Sequence, residues 1–176
     1  SNSMLEVADC IIVSNEVSTS GYQGSTIGGG VYAWYGTVMI SNTVLAFNSS
    51  YQNNANSPAM GGAIGSYYSD VTLAQSALSR NALTTSGGNV QGSGFGYYSA
   101  GGTHLLRNVV IAGNYRAAGG NNAYGVGAYF SGSSVTMENC TVATNYVAVQ
   151  NYGALYQNGG SVRITNSIIF NNNVDC

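Results

Sequence analysis

Six carboxylates make up the acidic complement of this 176-residue chain: Glu6, Asp9, Glu16, Asp70, Glu138 and Asp175. His104 is its one histidine, the side-chain type that ordinarily titrates near neutrality. Hydrolysis of a glycosidic bond would need two carboxylates about 5 to 9.5 Å apart, one giving a proton and the other acting as base or nucleophile. Calcium would need several oxygen ligands converging on one point, and zinc a Cys/His cluster at short spacing. Whether any such set assembles depends on which residues the backbone brings side by side.

Asn recurs as Asn15, Asn48, Asn81, Asn114, Asn145 and Asn172, at intervals of 33, 33, 33, 31 and 27 residues. Six places before each stand Asp9, Asn42, Gln75, Asn108, Asn139 and Asn166, all with a carbonyl-type acceptor. Ten places before lie Leu5, Val38, Val71, His104, Val135 and Val162, and eight before lie Val7, Ile40, Leu73, Leu106, Met137 and Ile164. The place between is mixed and mostly polar, and alternation with a period of two marks a strand. Three places before the Asn, the column Ile12, Leu45, Leu78, Ile111, Val142 and Ile169 marks a second strand. A third begins at "GGGVYAW", "GGAIGSY", "GFGYYSA", "GVGAYFS" and "YGALYQN". It follows an always-small column, Gly30, Ala63, Gly96, Gly127 and Ala154, as a bend or close backbone approach demands. Length varies only after each Asn. The expected fold is all-β, a parallel β-helix (solenoid) of about six rungs with three short strands each. It forms one domain over residues 1–176, expected to be a piece of a longer solenoid.

This register disperses the acids. Asp70 and Glu138 sit in different columns two rungs apart, and no acid pair shares a column on adjacent rungs. Arg107 and Glu138 do share one, as a stabilising cross-strand pair of about 0.2 to 1 kcal/mol. His104 interrupts an inward apolar column with no partner aligned, which reads as a buried histidine rather than a general base. Cys10 and Cys140 share a column four rungs apart, roughly 19 Å at the usual strand spacing and too far for a disulfide. The chain is therefore expected not to be an enzyme, with no catalytic residue, metal or cofactor.

Stacked Asn side chains can donate to one another along the axis, as amide ladders do in stacked parallel strands. Both columns read as internal corner ladders: Asn15, Asn48, Asn81, Asn114, Asn145 and Asn172, and with them Asn42, Asn108, Asn139 and Asn166. Internal placement would close both glycosylation sequons, Asn48-Ser-Ser and Asn139-Cys-Thr. Sixteen places before the anchor stand Tyr32, Gly65, Tyr98, Tyr129 and Tyr156, with Trp34, Tyr67 and Tyr68 just beyond. The pleat sends the adjoining column, Val31, Ile64, Tyr97, Ala128 and Leu155, inward and the Tyr column outward. The candidate ligand-binding residues are Tyr32, Trp34, Tyr67, Tyr98, Tyr129 and Tyr156. "EVSTSGYQGSTI", "SSYQNNANSPAM", "ALTTSGGNVQGS" and "YRAAGGNNAY" add loops of Tyr, Ser, Gly, Asn and Gln, the composition of adaptable binding loops.

A net charge of −2 gives no reason to expect nucleic acid as a partner, and no apolar run approaches the roughly 20 residues of a membrane span. Gly61-Gly62-Ala63-Ile64 and Phe170-Asn171-Asn172-Asn173 resemble the tetrapeptides of right-handed parallel β-helix repeats in bacterial polymorphic outer membrane proteins. That resemblance implies a right-handed helix in a secreted adhesin passenger, within an architecture shared with pectate-lyase-like enzymes. The expectation is a non-enzymatic extracellular or cell-surface segment, binding a glycan or a host or cell-surface protein through its Tyr stripe and loops. One alternative is a structural spacer or filament block, stacking on flanking rungs or end to end on other copies. The other is a polysaccharide lyase or hydrolase whose active site lies outside the fragment.

Overall fold

The computed structural model describes residues 3–19, 24–53, 57–85, 91–118, 122–147 and 151–172. Their secondary structure is all β, in four parallel sheets built from five ladders of short strands. The first ladder holds Thr26–Ile27, Ala59–Met60, Gln91–Ser93, Asn122–Tyr124 and Asn151–Tyr152. The second holds Val31–Trp34, Ile64–Tyr67 and Tyr97–Ala100. The third holds Ser3–Ala8, Gly36–Ser41, Asp70–Ala74 and Thr103–Arg107. Ala128–Glu138 and Leu155–Thr165 run straight through both, so the second and third ladders form one nine-stranded sheet. The fourth, from Ile11–Val13 to Ile168–Phe170, has six strands; the fifth holds Glu16–Thr19, Ser49–Gln52, Ala82–Thr85 and Tyr115–Ala118.

The result is a parallel β-solenoid with four complete turns flanked by a partial turn at each end. The three strands per rung read from the apolar columns are the second, third and fourth ladders. The first and fifth are additional, and they take up both ends of the segments read as loops. The middles of those loops lie outside the described residues, as do Asp175 and Cys176.

Each corner has its own backbone solution. Gly28, Gly61, Gly94 and Gly125 enter the second ladder with φ between 57° and 67°. A Cβ on Gly28 would meet the Val31 carbonyl oxygen at 2.3 Å, so only glycine fits. Between the third and fourth ladders, Asp9, Asn42, Gln75, Asn108, Asn139 and Asn166 are all left-handed, with φ of 46° to 54°. These side chains are exposed, which corrects the reading of Asn42, Asn108, Asn139 and Asn166 as an internal ladder. Asn recurs there because it tolerates left-handed backbone better than other non-glycine residues. The Asn139 sequon consequently faces outward, while Asn48 is fully buried. The inward corner position is one residue later. There Thr43 Oγ1 accepts from the Cys10 N–H at 3.4 Å, Ser76 Oγ from Thr43 N–H at 3.1 Å and Ser167 Oγ from Cys140 N–H at 2.9 Å.

The true internal amide ladder is the anchor column. Asn81 Oδ1 accepts from the Asn48 backbone N–H at 3.0 Å and from Asn48 Nδ2 at 3.1 Å. Asn81 Nδ2 donates to Asn114 Oδ1 and to the Leu45 carbonyl, both at 3.0 Å. Asn15, Asn114, Asn145 and Asn172 continue the pattern in both directions. Two donors and two acceptor sites are thus used at Asn81, which is fully buried. The ladder separates two apolar clusters. The larger contains Leu45, Leu78, Ile111 and Val142; the smaller contains Leu83, Phe95, Val126 and Val147. The rung is pinched here, and a Cβ on Gly30 would come within 3.2 Å of the Asn48 amide. That proximity accounts for the always-small column.

Replacing Asn81 with Ala orphans buried groups on both neighbouring rungs, each costing about 1 to 3 kcal/mol. Urea denaturation should show Asn81→Ala destabilised by about 3 kcal/mol or more. Asn108→Gly, at an exposed left-handed corner, should change stability by less than about 1 kcal/mol; the reverse ranking would contradict the assignment of the two columns.

Candidate functional site

The six candidate aromatics all lie on the outer face of the second ladder, in one chain of ring contacts. Tyr32 meets Trp34 and Tyr67 edge-on at centroid distances of 6.3 and 6.5 Å. Tyr67 meets Tyr98 at 5.6 Å, and Tyr98, Tyr129 and Tyr156 stack in succession at 5.4 Å each. The parallel register enforces this order, because Tyr98 pairs with Tyr129 and Tyr129 with Tyr156 across adjacent strands. Gly65 leaves a gap in the column that the Ile27 side chain occupies; a Cβ at Gly65 would lie 2.3 Å from Ile27 Cγ2.

The stripe divides into two parts with different chemistry. Tyr98 is only 8% exposed, its hydroxyl lies 3.3 Å from that of Tyr67, and burial drives its pKa upward. Tyr98, Tyr129 and Tyr156 turn their ring faces toward one another, with interplanar angles of 6° and 15°. Those faces are occupied, and Tyr124 packs edge-on against Tyr129 and Tyr156. This part protects the sheet, through ring contacts worth about 0.5 to 1.5 kcal/mol each. The expectation of an exposed stripe is therefore corrected at Tyr98.

The other part is open. Trp34, Tyr35 and Tyr68 are 65%, 60% and 59% exposed, and Tyr32 is 42% exposed. Trp34 stacks on Tyr35 at 6.2 Å, and Tyr35 on Tyr68 at 5.1 Å. Tyr35 and Tyr68 lie outside the six residues expected from the sequence to bind a ligand. Both occupy the column thirteen places before the anchor, whose other described members are Gly101, Gly132 and Gly159. All five are left-handed, with φ of 51° and 48° at the tyrosines. In the sequence the mark of these two positions is a bulky ring in a column whose other described members are all glycine.

Four of the described carboxylates each take a partner of their own. Arg107 Nε and Glu138 Oε2 are 2.9 Å apart in an exposed pair, worth about 0 to 1 kcal/mol. Asp70 Oδ1 accepts from Thr103 N–H at 2.8 Å, Glu16 Oε2 from Ser49 Oγ at 3.2 Å and Asp9 Oδ1 from Asn42 Nδ2 at 3.1 Å. Among the described residues, no three of His, Cys, Asp and Glu gather as a metal site would require. Cys10 is exposed and Cys140 buried, and both are free.

His104 has a partner that column alignment missed. Its Nδ1 lies 2.7 Å from the Tyr97 hydroxyl, and its Nε2 lies 3.0 Å from the Gly101 carbonyl. A carbonyl only accepts, so Nε2 carries the proton and Nδ1 receives the Tyr97 O–H. Both residues are buried in the core, so this pair satisfies two polar groups rather than meeting substrate. Burial lowers the His104 pKa, partly countered by the Gly101 carbonyl and Asp70.

The unfolded chain protonates His104 near pH 6.5 while the folded chain resists, so protons favour unfolding as pH falls through that value. Melting curves should show stability dropping between about pH 7.5 and pH 5. The Tyr97→Phe/His104→Leu double variant should lose distinctly less over that window; an equal loss would contradict a neutral buried His104.

No protein-family model, curated protein or solved structure matches the chain, and what its structure establishes is a parallel β-solenoid.

Proposed function

We propose that this chain is a non-enzymatic repeat segment at the outside of a cell, acting in adhesion. In this reading it binds a neutral glycan or a protein surface through Tyr32, Trp34, Tyr35 and Tyr68. The observation that carries the proposal is the exposure of these four rings in one contiguous patch on a rigid ladder. Aromatic rings held this way offer large contact area at small entropic cost, and recognition surfaces are enriched in Tyr and Trp for that reason.

The two tetrapeptides support kinship with the polymorphic outer membrane protein passengers, and the structure supplies their physical content. Gly61 is the left-handed entry corner, Asn171 is the left-handed exit corner, and Asn172 belongs to the amide ladder. They support the architecture first and the family through it. The spacer or filament reading draws on apolar side chains of the inward columns that are exposed on the outermost described rungs, Leu5 at one end and Ile164 at the other. No arrangement of the described carboxylates favours a lyase or hydrolase.

Glycan arrays and pull-downs from cell-surface extracts with the intact chain test the proposal. Trp34→Ala and Tyr68→Ala should each weaken binding at least about tenfold, equivalent to 1.4 kcal/mol, with a smaller loss of melting temperature than Tyr98→Ala. Absence of binding, or binding indifferent to Trp34→Ala with Tyr68→Ala, would refute the assignment.

A further inference from the structure

Tyr35 and Tyr68 stand on adjacent rungs, 33 residues apart in sequence, with ring centroids 5.1 Å apart and an interplanar angle of 18°. Both phenols are well exposed. Left-handed backbone is unfavourable at a non-glycine residue and collects where structure serves function. Three other rungs avoid that cost with glycine at the same position, so these two rungs hold their rings against a local preference. The stacked pairs farther along the stripe differ, since Tyr98 is buried and the Tyr129 faces are covered on both sides.

We propose that Tyr35 and Tyr68 form a preorganised site of oxidative coupling that joins adjacent rungs through a dityrosine bond. The oxidant is a haem peroxidase working with hydrogen peroxide. Each phenol gives up one electron and one proton, leaving two phenoxyl radicals with spin density on the ring carbons ortho to oxygen. One carbon–carbon bond forms between an ortho carbon of each ring. Each ring then moves its displaced ortho hydrogen to oxygen and recovers its phenol. The two electrons and two protons reduce one hydrogen peroxide to two waters. The link would close a long loop covalently in a chain whose described cysteines, Cys10 and Cys140, are both free.

The test treats the intact chain, at low concentration, with a haem peroxidase and hydrogen peroxide. The expected product is monomeric, shows dityrosine fluorescence, and yields on digestion a joined peptide pair containing Tyr35 and Tyr68 lighter by two hydrogens. Tyr35→Phe and Tyr68→Phe keep the rings but remove the phenol, and each should cut the monomeric product at least tenfold. Tyr35→Gly matches the glycine of the other rungs and should do the same, whereas Tyr129→Phe should leave the yield unchanged. No dityrosine, coupling only between molecules, or undiminished yield in Tyr35→Phe would overturn the proposal.

Discussion

The buried amide ladder constrains everything else in this molecule. Each anchor Asn from Asn48 onward accepts two hydrogen bonds from the preceding rung, one from backbone and one from side chain. A one-residue slip would break both and turn every inward side chain outward. The ladder therefore fixes register along the axis as well as closing the corner chemically. It also explains why the repeat stays gapless between the small column and the Asn, while insertions collect after it. A longer loop costs little entropy, whereas an insertion before the Asn would displace its amide from both partners.

Strand spacing carries this order to the surface. Parallel strands about 4.8 Å apart bring like residues into contact, whether amides inside or rings outside. The Tyr98, Tyr129 and Tyr156 stack is the external counterpart of the Asn column, and its rings spend their faces on one another. Trp34, Tyr35, Tyr32 and Tyr68 are produced by the same stacking but remain open to solvent. One scaffold rule thus yields a protective face and an accessible one, separated by the gap at Gly65.

Much of this was legible in the sequence because columns repeat. The inward positions headed by Val38, Ile40 and Leu45 are apolar in rung after rung, and three strands follow directly. The first and fifth ladders escaped because their strands are two to four residues long and mix polar with apolar inward positions, as in Val17, Ser50 and Leu83. The Asn42 column was misplaced for a different reason. A buried ladder and a left-handed corner both select Asn, and residue identity alone does not separate them. His104 was read correctly as buried, but its partner Tyr97 lies in another column of the same rung, invisible to comparison down columns. Tyr35 stands at a left-handed corner, where the period-two alternation of the strand stops and no longer says which way a side chain points.

Residue-resolved hydrogen exchange tests the amide ladder most directly. The backbone N–H groups of Asn48, Asn81 and Asn114, together with their Nδ2 protons, should exchange only through opening of the solenoid, as slowly as the most protected strand amides. Side-chain protons of Asn108 and Asn139, on the outward corner, should exchange at the rate of free solvent-exposed amides. Fast exchange at Asn81 Nδ2, matching Asn108, would contradict the claim that this ladder holds the fold in register.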